Sequence, residues 1–247
     1  MSLTAVGSMA FDAVETPFGK REKMLGGSAV HFALSASFFT DVRVVGVVGN
    51  DFGDEEFNLL HSKGINTDDV QQIADGKTFF WRGRYDFDLN TAHTLDTQLN
   101  VFETFQPKLS DASKNSKLLF LGNILPMLQK EVREQCPKSE LVALDTMNFW
   151  ISSMKDNVVE AMKLVDVVII NDAEARQLSG EANIHKAAQK VLDFGLKALV
   201  IKRGEYGAAL FTKENYFAIP AYPLESVFDP TGAGDTFAGG FIGYLAS

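Results

Sequence analysis

The segment from Asp229 to Phe241, D-P-T-G-A-G-D-T-F-A-G-G-F, combines closely spaced glycines with two acids. Gly232 and Gly234 allow a tight turn, and the small and apolar residues from Ala233 onward predict a helix that begins there. Free backbone amides at such a turn, with the positive end of the helix dipole, form a site for an anion. An acid inside an anion site is unfavourable without a task, so Asp235 is interpreted as a base beside a transferring phosphoryl group.

A purely structural role is the alternative for these acids. Asp is a common helix cap, and a short G-x-G-D pattern by itself would favour capping by Asp229 or Asp235. Only the longer pattern favours chemistry at this turn.

Composition and charge narrow the function classes. The 247 residues are 46% hydrophobic and 22% charged, which is typical of a globular protein. The net charge of -9 repels nucleic acid and anionic membranes, so a bound phosphate needs a local device such as the turn at Gly232. The single cysteine, Cys136, excludes a disulfide and C-x-x-C metal sites.

Targeting and membrane segments are not predicted. The first residues lack the basic and apolar regions of a signal peptide. The longest apolar runs, near 42–48 and 165–170, are far shorter than the roughly 20 residues that span a bilayer. We therefore expect a cytoplasmic protein with small-molecule partners and with neither nucleic-acid nor membrane partners.

The elements that must position the turn follow an alternating pattern. Short apolar runs rich in β-branched residues predict buried parallel strands at 42–48, 118–121, 141–144, 165–170 and 199–201. Segments with helical periodicity lie between them, at 30–39, 54–63, 126–135, 153–164 and 184–194. Strands that alternate with helices predict an α/β fold with a doubly wound, mostly parallel sheet flanked by helices.

The region 77–105 breaks this rhythm. Phe79, Trp81, Tyr85 and Phe87 alternate with charged residues, which predicts a strand with the aromatic side chains on one face. A return strand within 94–105 would complete a small antiparallel flap. A hairpin packed on its own core, a substrate lid and a dimer contact all fit this pattern.

The segment from Asp229 to Phe241 resembles the signature of the ribokinase (PfkB) carbohydrate-kinase family. Other motifs of that family follow the expected order: G-S-M-A-F-D ending at Asp12 with the glycine pair Gly26-Gly27, N-x-x-E at 171–174, and K-x-G-x-x-G at 202–207. The resemblance covers the whole chain. It implies one ribokinase-like α/β domain over residues 1–247, with β-lid insertions near 12–25 and 70–105.

The resemblance implies a role for each motif. Asp12, Gly26 and Gly27 would bind the sugar, and Asn148 belongs to the segment Asp145-Thr146-Met147-Asn148, which resembles a substrate segment of the family. The Arg that usually follows that Asn is replaced by Phe149, so a contact with an anionic sugar acid is not expected. Asp235 would be the catalytic base, and the amides of three neighbours would stabilise the transferred group: Gly232, Ala233 and Gly234.

The nucleotide side is assigned in the same way. Glu174 would hold Mg²⁺ through water, with Asn171 beside it, and Asp229 resembles a position that helps organise a monovalent cation. The residues expected near ATP are Asn171, Glu174, Lys202, Gly204, Gly207 and Thr231. As structural alternatives, Glu174 would be a solvated first-turn acid and Asp12 a turn residue.

The expected reaction is ATP-dependent phosphorylation of a hydroxymethyl group on a sugar or sugar-like substrate. A nucleoside kinase of the adenosine type is the alternative within the family, since the aromatic lid face could stack on a base. A non-catalytic ligand-binding domain is the alternative of another class. A homodimer through the β-lid is also expected from the flap.

Some features argue against other assignments. A P-loop motif and a G-x-G-x-x-G after the first strand are absent. The four histidines, which include His31, show no metal-ligand spacing and are expected to be structural or surface residues. Family members usually continue past the GAGD helix with helices that line the adenine pocket, and the sequence ends near that helix at Ser247. Weak or absent ATP binding is therefore expected of these 247 residues.

Overall fold

The structure is a computed structural model, and it describes residues 2–247. These residues form a nine-stranded central sheet in the order β13-β12-β11-β10-β9-β8-β1-β4-β5, parallel except for the pairs made by β12. Its strands are β1 (Leu3–Val6), β4 (Val42–Gly49), β5 (Asn66–Ile73), β8 (Leu118–Leu121), β9 (Leu141–Leu144), β10 (Val167–Asn171), β11 (Ala198–Lys202), β12 (Ala208–Phe211) and β13 (Tyr216–Ile219).

Helices cover both faces of this sheet, as predicted from the alternation of strands and helices. They are α1 (Ser28–Ala36), α2 (Asp54–Ser62), α3 (Asp111–Lys114), α4 (Pro126–Gln135), α5 (Asn148–Ser153), α6 (Lys155–Met162), α7 (Asp172–Ser179), α8 (Ile184–Leu192) and α9 (Ala233–Leu245). Within residues 2–247, no helix has both the length and the apolar character needed to cross a bilayer.

The central strands are buried on both faces, and alternate residues belong to two cores. In β8, Leu119 and Leu121 face a core that includes residues of α4, α6 and α8, whereas Leu118 and Phe120 face a core with α1 and α9. The rings of Phe120 and Phe32 stack with their centroids 3.8 Å apart. Continuous apolar sequence is what burial of both faces requires.

A smaller four-stranded sheet forms the lid, in the order β3-β2-β6-β7. Its strands are β2 (Ala10–Thr16), β3 (Gly19–Gly26), β6 (Phe79–Tyr85) and β7 (Ala92–Gln98). Two antiparallel hairpins, β2–β3 and β6–β7, are joined by parallel pairing of β2 with β6. The fold predicted from the sequence is confirmed, and a homodimer through this lid stays a prediction.

Close contact between α9 and α1 fixes the start of α9. A Cβ atom on Gly239 would lie 2.2 Å from the backbone oxygen of Phe32, and one on Gly243 would lie 2.9 Å from Cα of Ala36. Residues three to four positions apart share one face of a helix, so these glycines form a flat contact strip. The strip lets the two helix backbones approach and brings the glycine-rich turn to the N-terminal end of α1.

Candidate active site

The glycine-rich turn leads directly into α9, as the sequence predicts. Gly232 is the N-cap in the left-handed conformation, with φ +72°, and a Cβ atom there would lie 2.3 Å from the His31 ring. The first helical hydrogen bond runs from Thr236 N to Gly232 O. The amides of Gly234 and Asp235 precede that bond and have no partner within the helix. Glycine is therefore needed at position 232 for both conformation and space.

The expected role of the Ala233 amide needs correction. This amide donates to the backbone oxygen of Pro230 at 3.0 Å, so it is already used inside the turn. The free donors at the start of α9 are those of Gly234 and Asp235. The turn thus retains its capacity for an anion through the amides of Gly234 and Asp235, and the role expected of the Gly232 amide stays a prediction.

Asp12 occupies a sheltered position on β2, where only 6% of the residue is exposed. Gly26 is opposite Ala10 in the β2–β3 pair and lies beside the Asp12 side chain, since a Cβ atom on Gly26 would overlap Oδ2 of Asp12 at 2.0 Å. Gly27, with φ +95°, lies against the backbone of Ser8. The glycine pair thus makes room for the Asp12 carboxylate and for the entry into α1, and Asp12 is a strand residue instead of a turn residue.

His31 is a site residue that the sequence analysis assigned to a structural role. Its Nε2 atom is buried, has no hydrogen-bond partner in the structure, and lies 3.9 Å from Oδ2 of Asp12. Burial lowers the pKa of His31, but the carboxylates of Asp12, Asp235 and Asp229 outweigh it, so the net pKa is raised. The sequence position of His31, one helical turn after the glycine pair, could have indicated that it lies at the site.

Three buried charges meet at the carboxyl ends of neighbouring strands. Nζ of Lys202, at the end of β11, donates to Oδ2 of Asp145 after β9 at 3.0 Å. Glu174 lies in the first turn of α7, which follows the intervening strand β10, and is 8% exposed. This edge is where doubly wound folds bind ligands.

The electrostatics of this edge affect the candidate base. Burial and the nearby Asp145 carboxylate raise the pKa of Asp235 to about 6, although Lys202 and His31 oppose the shift. Burial and Asp145 also raise the pKa of Glu174 to about 7. Burial lowers the pKa of Lys202, but the surrounding carboxylates raise it more, so the ammonium stays charged.

Asn171 and Glu174 form a capping box at the start of α7. The Asn171 side chain accepts from the Glu174 amide at 2.8 Å, and Oε2 of Glu174 accepts from the Asn171 amide at 2.7 Å. One carboxylate oxygen of Glu174 is therefore left for a ligand. Within the described residues, no group of three or more His, Cys, Asp or Glu side chains could hold a metal. This donor set fits Mg²⁺ held through water and phosphate oxygens instead of an all-protein site.

Other predicted site residues lie in varied surroundings. Gly204 and Gly207 flank a turn after β11 in which Arg203 N donates to Gly207 O at 2.8 Å. A Cβ atom on Gly207 would lie 2.0 Å from Ile219 O, so Gly207 serves the packing of β13.

Asp229 accepts from the Thr231 amide at 2.9 Å and is exposed. A monovalent cation at Asp229 stays a prediction.

Asn148 lies in a different element from the other substrate candidates. It begins α5 with an exposed side chain, and its backbone oxygen accepts from Ser152 and from Gln177 of α7. Among residues 2–247, the structure gives it no contact with Asp12. The first turn of α5 faces α7 and solvent, and the predicted substrate contact of Asn148 stays a prediction.

The lid brings aromatic residues to the site, although not all four that alternate in the sequence. Trp81 is the direct neighbour of Asp12 across the β2–β6 pair and donates through Nε1 to Thr94 at 3.1 Å. The Tyr85 hydroxyl accepts from Oγ1 of Thr231 at 3.3 Å. Phe79 stacks instead on Phe102, and Phe87 lies beyond the strand with 80% exposure.

A model of the pfkB family carbohydrate kinases matches residues 2–247. The chain belongs to the pfkB family of carbohydrate kinases. It is 29% identical over 249 residues to the cytidine kinase of Thermococcus kodakarensis. The aligned region covers 98% of this chain and 87% of that protein. The turn at Gly232 and the Asp12 strand are therefore parts of a kinase fold.

Solved structures show the same fold. The nucleoside kinase of Burkholderia thailandensis in complex with inosine matches with a TM-score of 0.78 at 20% identity, covering 99% of this chain and 84% of that one. A putative ribokinase II from E. coli in complex with ATP and Mg²⁺ matches with a TM-score of 0.82 at 18% identity. This match covers 99% of this chain and 86% of that one. At these identities the match supports the fold alone.

Proposed function

We propose that this pfkB-family kinase transfers the γ-phosphoryl group of ATP to a hydroxymethyl group of a sugar or sugar-like molecule, with Asp235 as the base. One observation carries the proposal: Asp235 lies at the free amides that begin α9, and Gly232 of the same turn lies against the ring of His31, whose Nε2 is 3.9 Å from Oδ2 of Asp12. The base therefore stands between a site for an anion and a site for a hydroxylated molecule.

The chain's own groups account for the transfer. The acceptor oxygen attacks the γ-phosphorus while the bond to the β-phosphate oxygen breaks, and the acceptor proton passes to Asp235. The amides of Gly234 and Asp235 donate to the phosphoryl oxygens as their charge redistributes. A base with a pKa near 6 is ionised at neutral pH and is better matched to proton transfer than a free Asp near 3.9.

ATP and Mg²⁺ are the proposed cosubstrate and cofactor. Mg²⁺, held through water by Glu174 beside Asn171, would neutralise charge on the phosphate oxygens. The turn of Gly204 to Gly207 and the side chain of Lys202 border the nucleotide side. The solved neighbour with ATP and Mg²⁺ supports this choice at the level of the family.

A nucleoside is the second candidate acceptor. Trp81 and Tyr85 lie on the lid face that Asp12 shares, so an aromatic surface adjoins the expected hydroxyl site. Stacking of a base on an aromatic ring contributes roughly 1 to 3 kcal/mol. The cytidine kinase and the inosine-bound nucleoside kinase among the similar proteins support this candidate.

A substrate panel tests the proposal. ADP release is measured with ribose, fructose, cytidine, adenosine and inosine as acceptors, and the position of the product phosphate is determined by ³¹P NMR. The proposal requires ATP-dependent phosphorylation at a hydroxymethyl group. Acceptor binding without ATP turnover across the whole panel would instead indicate a binding domain, and the Trp81→Ala variant should lose activity toward nucleosides more than toward free sugars.

A further inference from the structure

Lys202 and Asp145 form a buried ion pair that spans the end of a strand. Their side chains are 16% and 6% exposed, and 57 sequence positions separate them. Lys202 ends β11 and Asp145 follows β9, so the pair crosses the end of β10. Burying two charges costs more free energy than a surface pair and stabilises a fold only weakly. The position of this pair therefore calls for a role beyond stability.

The Lys202 ammonium lies at the glycine-rich turn. A Cβ atom on Gly234 would be 2.9 Å from Nζ, so the ammonium adjoins one of the two free amides of that turn. Among the described residues its single hydrogen-bond acceptor is Oδ2 of Asp145. A lysine has three N–H donors, so two remain for a ligand. The Lys202 ammonium thus lies beside a residue of the turn whose own amide is free.

Asp145 is itself held on several sides. Its Oδ1 accepts from the Thr146 amide at 2.8 Å, and its backbone amide donates to Leu121 O at 3.0 Å. Its backbone oxygen accepts from Nε2 of the buried Gln129 at 2.8 Å. With Oδ1 used locally, Oδ2 is directed at Lys202. A lysine side chain has four flexible torsions, and this fixed carboxylate removes much of that freedom.

We infer that Lys202 contacts the transferring phosphoryl group beside the Gly234 amide, and that Asp145 is the positioning residue that holds the ammonium there. The inference rests on the proposed function and names a further catalytic residue for it. In the transfer the acceptor oxygen bonds to phosphorus, the electron pair of the broken bond leaves with ADP, and the proton goes to Asp235. Lys202 keeps its protons and supplies a fixed positive charge.

A structural role for the pair makes a different prediction from the catalytic one. If Lys202 only neutralises Asp145, the double variant Asp145→Asn/Lys202→Met should recover both stability and activity, because uncharged partners can replace a buried pair. If Lys202 acts on the phosphoryl group, the double variant should recover stability and remain slow.

Steady-state kinetics of these variants test the inference. Lys202→Met should lower kcat on the order of 10²- to 10³-fold with less than roughly tenfold change in KM for the acceptor. Asp145→Asn should lower kcat roughly 10- to 100-fold, because the cation remains but loses its position. Lys197→Met is the matched control, since Lys197 pairs with Asp166 at 72% exposure, and it should behave as the wild type. A kcat within about twofold of wild type for Lys202→Met, or full recovery of kcat in the double variant, would overturn the inference.

A binding measurement separates this inference from the proposed function. Calorimetric titrations compare ATP with ADP for the wild type and Lys202→Met. The wild type should prefer ATP, and the variant should lose that preference while it retains ADP affinity. An equal ATP preference in both proteins refutes the role of Lys202, whereas an ATP preference without turnover of any acceptor refutes the proposed function alone.

Discussion

Nε2 of His31 lies 3.9 Å from Oδ2 of Asp12, and the same imidazole ring lies against Gly232. One side chain of α1 thus touches both the hydroxyl side and the phosphoryl side of the proposed site. Because its buried Nε2 lacks a hydrogen-bond partner, an acceptor hydroxyl between His31 and Asp12 would satisfy both groups.

This relationship predicts an acceptor-binding defect when His31 is changed. His31→Ala should raise KM for the acceptor on the order of tenfold or more, and KM for ATP should change little, since a buried donor would be lost from the acceptor alone. Initial rates with each substrate varied in turn provide the measurement. His185→Ala is a suitable control because His185 is distant in sequence and exposed. Equal effects on both KM values would contradict the placement of the acceptor at His31.

Asp235→Asn should lower kcat on the order of 10²- to 10⁴-fold while the fold is retained, because an amide cannot accept the acceptor proton. Rates from a coupled ADP assay and the thermal unfolding midpoint are measured together. An unchanged kcat in a folded variant would remove Asp235 from the role of base.

The pH dependence follows from the raised pKa of Asp235. The base must be ionised, so kcat should fall as the pH drops through about 6 and level off above it. A profile of kcat from pH 5 to 9 checks this limb. An activity that stays flat down to pH 5 would show that the carboxyl titrates lower or is not the base.

The buried carboxyl of Glu174 should make the folded protein less stable as the pH rises, whereas kcat rises with pH. The folded pKa of Glu174, about 7, lies above its usual 4.5, so the folded chain binds more protons between these values and its free energy of unfolding falls as pH rises through them. Glu174→Gln retains an oxygen for the capping box and removes the buried charge. At pH 8 it should raise the free energy of unfolding by on the order of 1 to 3 kcal/mol while lowering activity. Urea unfolding at pH 5 and pH 8 measures the difference, and a greater gain at pH 5 would contradict the assignment.

The contact between α9 and α1 predicts contrasting effects for two adjacent glycines. Gly239→Ala should lower the free energy of unfolding by about 1 to 3 kcal/mol, because its Cβ atom would press on the Phe32 backbone. In Gly240→Ala the Cβ atom lies 3.4 Å from Ser35 Oγ, so better helix propensity should leave stability unchanged or slightly higher. Chemical denaturation of both variants checks this contrast. Destabilisation by Gly240→Ala equal to that by Gly239→Ala would show that helix approach is not the cause.

Much of the fold was predictable because its signals are local. Helix α4 has the bounds predicted for 126–135, since Pro126 occupies the first helical position and the apolar period continues behind it. Strands β8 and β9 also have the predicted bounds, because short apolar runs between polar residues leave few alternatives. The strand order of the lid could not be predicted as well from the sequence, because the parallel pairing of β2 with β6 joins segments far apart in sequence.

The sequence by itself determined the helix start at Gly232 and the acid at its first turn. Each depends on backbone conformation and hydrogen bonds within a few residues, and local residue types are sufficient for that. Only the tertiary structure decided that His31 faces Asp12 and that Lys202 pairs with Asp145. Contacts between strand ends and across packed helices depend on sheet order and helix approach, and no local pattern of residues records them.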